Sequence, residues 1–290
     1  KRILAELDKN KIVVVAGFQG IDQEMEITTL GRGASDLSAV AIAAGLGTDI
    51  CEIYTDVDGI YTADPKLVRD ARKLDEIEYE EMLELASYGA KMDPRSIELA
   101  MVYQVPLTVA SSLAKNPGTK IHQGANMDSK IGEIRNRVRG IASDTNVAKI
   151  TVLGVMDKPG IAGNLFQPLA ESDISVDVIV QNTSSEGYTD LTFTVKRTDL
   201  NNALKVVNSV AETLGSSAVS STDNLAKVSI VGTGMRDAPG YASKLFNTLA
   251  TANINIEMIT TSEIRITCII DSKHVQKATK AIHEAFELAN

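Results

Sequence analysis

The run Thr28-Thr29-Leu30-Gly31-Arg32-Gly33-Ala34-Ser35-Asp36 sets two glycines, a guanidinium, a hydroxyl and a carboxylate directly ahead of an apolar stretch. Two chemistries are open to it. Glycine lacks the Cβ that bars left-handed backbone, so the chain can wrap closely around a small ligand while Arg32 offers a planar fork to a carboxylate. A helix starting at Ser35 and Asp36 would add free N–H groups and the positive end of its dipole. The plainer reading is a tight turn in which Ser35 or Asp36 caps that helix.

A second polar group follows the apolar run ICEIYT, where Thr55 and Asp56 precede Asp58-Gly59. Polar residues at the carboxyl end of a strand stand where ligands sit in open α/β sheets, whereas Asp-Gly and Asp-Pro pairs are common turn punctuation, so Asp58 and Asp64 are read as turn residues. A third group is Asp157-Lys158-Pro159-Gly160, whose glycine would let helix N–H groups approach a carboxylate while Asp157 accepts from an ammonium. Capping of a helix by Asp157 is the alternative. Cysteine and histidine supply little: Cys51 and Cys268 lie far apart in β-like runs, and His122, His274 and His283 are scattered. That pattern argues against a histidine metal site or a Ser-His-Asp hydrolase and for free, buried thiols in a reducing cytoplasm.

The elements that must position these groups follow from periodicity. KIVVVAGF, 11–18, reads as a strand buried on both faces of a parallel sheet, and the alanine- and leucine-rich stretch 36–47, closed by glycine, as a helix. Strand-like runs at 50–55 and 105–112, with helical stretches at 74–90 and 94–104, complete an αβα layered pattern. The first residues, KRILAELDKNK, read as a charged amphipathic helix rather than a signal peptide. Near 114–124 the composition turns to Pro, Gly, Asn and Lys, which marks a boundary.

Beyond it the sequence repeats. Asp157, Pro159, Gly160, Leu165, Phe166 and Leu169 recur as Asp237, Pro239, Gly240, Leu245, Phe246 and Leu249 at a constant shift of 80 residues. Each copy reads strand, turn, helix, strand, strand, helix, an α+β unit of ferredoxin-like order. Pro168, opposite Thr248, should kink the helix of the first copy alone.

With 290 residues, 44 % of them hydrophobic, the chain can bury two or three cores, and a net charge of −9 gives no basic field for nucleic acid. No apolar run approaches the roughly 18–20 residues that cross a bilayer, so no membrane partner is expected.

The duplicated unit with its DxPG turn resembles the ACT domain, a module that binds free amino acids and regulates biosynthetic enzymes. The order VVVAGFQG, TTLGRGASD, EIYTDVDGIYTADP, GAK, PRSIELA followed by two such units is similar to the aspartate kinases, of the amino-acid kinase fold. The resemblance implies a partial αβα kinase domain at 1–118, a linker at 119–145, and ACT domains at 146–215 and 216–290. It implies transfer of the γ-phosphoryl group of ATP, with Mg²⁺, to the β-carboxylate of aspartate. The acceptor carboxyl, with a pKa near ~3.9, is already ionised at neutral pH and needs no general base.

Carried onto this sequence, the resemblance assigns catalysis to Arg32 and Asp36 and aspartate binding to Arg32, Ser35 and Asp36, with Asp36 holding the substrate ammonium or a catalytic lysine. The nucleotide falls to Thr55, Asp56, Tyr61, Lys66, Lys91 and Met92. An effector, lysine and/or threonine, falls to Asp157, Gly160, Ile161, Ala162, Asp177 and Gln181, opposed by Asn255, Ile256, Thr261 and Ser262. Tyr241 stands where a compact residue is frequent, so one pocket per repeat pair is expected. Two departures stand out: the family's phosphate-binding Lys-Phe-Gly-Gly turn has no counterpart, and GAKMDPRS carries Asp93 in place of a histidine and is one residue short. The chain, which starts at Lys1, is therefore expected to be the C-terminal part of a cytoplasmic enzyme, inactive alone, at least dimeric through its ACT domains. A non-catalytic amino-acid-binding regulatory subunit is the alternative.

Overall fold

The computed structural model describes residues 1–31, 33–90, 92–124, 138–182, 187–236 and 238–289. Arg32, Lys91 and Asp237, all named above, lie outside the described residues.

After a short helix α1 (Arg2–Leu7), the hairpin β1 (Gln19–Ile21) and β2 (Ile27–Thr29) leads to α2 (Ser35–Leu46), β3 (Cys51–Thr55) and β4 (Glu76–Glu78). Then come α3 (Tyr79–Ser87), α4 (Pro94–Tyr103), β5 (Leu107–Ser111) and β6 (Thr119–His122). Strands β3, β5, β6 and β4 form one sheet in that order, with β3 parallel to β5 and β6 antiparallel to β5. Its helices close on it through Val40, Met82, Leu85, Ile97 and Ala100, which pack with Leu107, Val109 and Ile121. α2 ends at Gly47 in the left-handed conformation, and α4 starts on Asp93 with Pro94 in its first turn. Both ends follow the local chemistry: glycine bears positive φ freely, and proline loses nothing where the N–H is unpaired anyway.

The segment 11–18 departs from expectation: it forms no strand, and Ile12 and Val14 are 95 % and 92 % exposed. A parallel strand gains its stability from neighbours on both edges and cover on both faces. Among the described residues none pairs with 11–16. Its two ends are anchored, where the Lys11 amide donates to the Glu6 carbonyl at 3.2 Å and the Phe18 amide to Ser38 Oγ at 2.9 Å.

The second half is one six-stranded antiparallel sheet in the order β11 (Met258–Thr261), β12 (Arg265–Asp271), β10 (Ala218–Val231), β7 (Gly140–Met156), β9 (Tyr188–Val195), β8 (Val176–Gln181). The long strands β7 and β10 pair along their whole lengths, Leu153 opposite Ala218 and Gly140 opposite Val231. The end of β7 opens the first repeat and the end of β10 opens the second, while the start of each completes the sheet of the other. Each repeat thereby reaches ferredoxin-like order only with a strand lent by its twin. Residues 119–122 and 140–145, expected as linker, are β6 and the start of β7, and the start of β10 lies in the sheet of the first repeat rather than the second.

Helices α5 (Ile161–Glu171) and α6 (Leu200–Leu214) cover the first repeat, α7 (Tyr241–Thr251) and α8 (Val275–Ala285) the second. Ile161, Leu165 and Leu169 are buried at the expected spacing, as are Leu245 and Leu249. α5 runs through Pro168 without ending. Val178 of outer strand β8 and Met258 of outer strand β11 share a cluster with Val147, Leu225 and Ile269. Two ion pairs related by the repeat tie the halves: Lys149 to Glu257 at 2.9 Å, and Lys227 to Asp177.

Candidate active site

Gly31 and Gly33 adopt φ of 97° and 81°, a conformation that a Cβ would strain, while Ala34 after them has φ of −76°, which its Cβ tolerates. The helix N-cap is Ala34, and no side chain caps it. Ser35 and Asp36 are thus the first residues of α2 and not its caps, so the capping alternative fails and both side chains stand in the first turn. Asp36 is half-buried; burial holds its carboxyl above the usual carboxylate range, opposed by the backbone N–H of Asp93, whose own charge adds to the rise.

Two residues that sequence reasoning did not assign, Asp93 and Arg95, complete this corner. Asp93 Oδ1 accepts from Arg95 N at 3.0 Å and Nε at 3.1 Å, and Oδ2 accepts from the guanidinium at 2.8 Å. The same guanidinium donates to the carbonyl of Leu30 at 2.8 Å, immediately before Gly31. An Asp at N-cap before Pro was the available sequence signal, but its reach to a loop 65 residues away was not.

At the carboxyl end of β3 the Thr55 carbonyl accepts from the amide of Ser112 at 2.9 Å, and its hydroxyl donates to Asp56 at 3.1 Å. Tyr61 donates to Asp58 at 2.6 Å, and Asn116 donates to the other Asp58 oxygen at 3.1 Å. Asp58 is therefore more than a turn residue: it ties the loop after β3 to the loop after β5. The bond to Tyr61 pulls the Asp58 carboxyl below the usual range and raises the phenol. Lys66 donates its amide to Asp64 at 2.9 Å, the turn role expected of Asp64. Met92 is 8 % exposed and packs in the core cluster that includes Ile97 and Ala100 of α4.

In the first repeat a cavity of about 400 Å³ is lined by Asp157, Lys158, Gly160, Ile161, Ala162 and Gln181. Gly160 caps α5 with φ of 92°, leaving helix N–H groups at the cavity wall. Gln181 approaches Asp157 at 3.5 Å. Asp177 and the second-repeat residues Asn255, Ile256, Thr261 and Ser262, expected in the same pocket, do not line it. The exchanged strands explain why: Asp177 is turned to Lys227, Asn255 donates to Glu257 at 3.4 Å, and Ser262 donates to Glu84 of α3 at 3.1 Å. Tyr241 stacks on Phe286 at 6.3 Å, filling the matching turn of the second repeat. A larger open groove, about 860 Å³ between α7 and α8, contains none of the expected residues.

Helix α3 joins the two halves. Buried Glu81 accepts from the amide and hydroxyl of Thr233 at 2.9 and 2.8 Å and lies 3.3 Å from Arg139. Glu84 lies 3.0 Å from Arg265 Nε, an ion pair not aligned as a hydrogen bond, and the Arg265 guanidinium sits 4.1 Å over the Tyr88 ring. Gly89, φ of 128°, lies so close to the Ser143 carbonyl of β7 that a Cβ would collide with it.

Both cysteines are buried and free, and burial pushes the Cys268 thiol up to about 12. No helix among the described residues is long and apolar enough to cross a membrane.

Comparison with known proteins accords with this architecture. Residues 1–111 match the amino acid kinase family, and residues 150–210 and 228–286 match the ACT domain. The chain is 47 % identical to aspartate kinase Ask_LysC of Stutzerimonas stutzeri over 289 residues, and 47 % identical to aspartokinase of Pseudomonas aeruginosa over 287. Each alignment covers 99 % of this chain and 69 % of the relative. The fold superposes on Clostridium acetobutylicum aspartate kinase with a TM-score of 0.80 at 27 % identity, covering 93 % of this chain. It superposes on E. coli aspartokinase III in complex with aspartate and ADP with a TM-score of 0.79 at 28 % identity, covering 98 %. The same enzyme in complex with lysine and aspartate gives 0.74. This chain spans 62 % of each of these structures, somewhat under two thirds.

Proposed function

This chain belongs to the aspartate kinase family, and from that premise we propose that its first 118 residues form part of a site transferring the γ-phosphoryl group of ATP to the β-carboxylate of L-aspartate. The observation that carries the reading is the corner at the start of α2, where two glycines at positive φ, an uncapped helix N-terminus and Asp36 converge beside Arg95. Such a corner receives a small amino acid: N–H groups and the Arg32 guanidinium for its carboxylate, Asp36 for its ammonium. The relative with aspartate and ADP supports that choice of ligands.

The acceptor carboxylate is ionised at neutral pH, so these residues need only align it and neutralise charge. Thr55, Asp56 and Tyr61 stand at the carboxyl end of the parallel pair β3 and β5, the usual edge for a nucleotide. Among the described residues no cluster of three or more His, Cys, Asp or Glu is set to hold a metal. Mg²⁺ keeps its waters and would be bound largely through substrate phosphates, where it would neutralise phosphoryl charge. Lysine and/or threonine bind at the cavity around Gly160 and Gln181 as feedback effectors, and α3 carries the effect to the kinase half.

The test is acyl-phosphate formation from aspartate and Mg-ATP, trapped as the hydroxamate, by a preparation that carries this chain. Asp36→Asn is expected to lower kcat/KM for aspartate about a hundredfold, the loss of a charge-assisted contact in a partly buried site. Unaltered turnover in that variant rejects the assignment.

A further inference from the structure

We propose that Asp93 and Arg95 form a positioning pair that sets the substrate loop, acting through the Leu30 carbonyl. The proposal rests on reading the start of α2 as the aspartate site. Neither residue was assigned a role by sequence, and neither is a helix cap alone. Asp93 uses both carboxylate oxygens on Arg95, which locks the guanidinium in one plane. With the fork fixed, its remaining arm donates to Leu30 at 2.8 Å and lies 3.6 Å from where a Cβ on Gly31 would stand.

Leu30 is held from its other side as well, its amide donating to the carbonyl of Phe18 at 3.1 Å. Both backbone polar atoms of Leu30, the residue before Gly31, are thereby held. One short turn at the start of α4 thus holds the loop where it enters Gly31. A lysine ammonium could bond one Asp93 oxygen and Leu30 but would lose the planar two-point grip on the carboxylate that fixes the fork. Gly31 itself is required by its φ of 97°, which a Cβ would strain, and it leaves the arginine ordinary contact distance.

The experiment is steady-state kinetics on the catalytically competent protein with Arg95→Ala, Arg95→Lys and Asp93→Asn, and Asp36→Asn as control. Arg95→Ala is expected to raise KM for aspartate about tenfold, the scale of one lost charge-assisted hydrogen bond, with KM for ATP held within about twofold. Arg95→Lys should recover part of the loss. Asp93→Asn keeps a good N-cap residue while weakening the fork, so it should shift KM for aspartate in the same direction, to a smaller extent. These two variants keep the test alive should Arg95→Ala fold poorly. Equal rises in KM for aspartate and ATP, or none in either, overturn the proposal. If Asp36→Asn weakens aspartate and the Arg95 variants do not, the positioning role alone is wrong. If Asp36→Asn also leaves aspartate untouched, the loop is not the substrate site and the underlying reading falls with it.

Discussion

The Tyr61 phenol commits its one proton to Asp58, so what it can offer a ligand is an oxygen that accepts. Tyr61→Phe should therefore raise KM for ATP by about threefold to tenfold, within the range of one hydrogen bond, and leave KM for aspartate unchanged; steady-state kinetics with each substrate varied decides it. His283 makes a different prediction. Its side chain is buried in α8 and meets the Thr62 hydroxyl at 2.9 Å, and burial holds its pKa below the ordinary 6.5 against the opposing pull of Asp70 and Glu284. The folded protein then binds fewer protons here than the unfolded chain, so stability present above pH 6.5 is lost as pH falls from there toward the lowered value. Thermal melts between pH 7.5 and 5.5 should show that decline, and His283→Gln should flatten it. Residues such as Gly31, Gly33 and Gly160 were legible in the sequence because their conformational freedom is written into the residue type. Asp58, Arg95 and Glu84 were not, because a carboxylate or guanidinium carries no local mark of which distant group it will meet.

Helix α3 behaves as a lever between the halves. Its Glu81, Glu84 and the adjoining Tyr88 and Gly89 touch four strands or turns of the ACT region, and Gly89 leads directly to the GAK turn. Glu84→Gln keeps an acceptor for Ser262 but removes the charge opposite Arg265, so the effector concentration for half-inhibition should rise about fivefold, at the low end of allosteric couplings. Inhibition curves with lysine and with threonine measure it, and an unchanged midpoint would show that α3 is not the route. α2, β3, α4 and β5 emerged as expected because periodicity and caps act within each segment. The run 11–18 misled, since a mostly apolar stretch says that a strand is possible and nothing about whether neighbours exist to pair with it. The 119–145 stretch misled in the opposite sense: its polar composition concealed that β6 and the start of β7 find partners far along the chain.

At the scale of the molecule the duplication was plain in the sequence, yet its geometry was not, because a repeat read by itself appears self-sufficient. β7 and β10 each serve both repeats, and the ion pairs Lys149 to Glu257 and Lys227 to Asp177 cross between them. The two ACT units should therefore melt in a single calorimetric transition, and Val228→Ala, a substitution in the fully buried second-repeat core, should lower that transition as a whole. Two resolved transitions would contradict the exchange of strands. The exchange also has a bearing on heredity. An internal deletion that erased one repeat would strip an edge from the survivor and lay bare its row of backbone donors and acceptors, an invitation to aggregate. Tandem copies that finish one another in this way resist loss by recombination, so a doubling that began as redundancy has become irreversible.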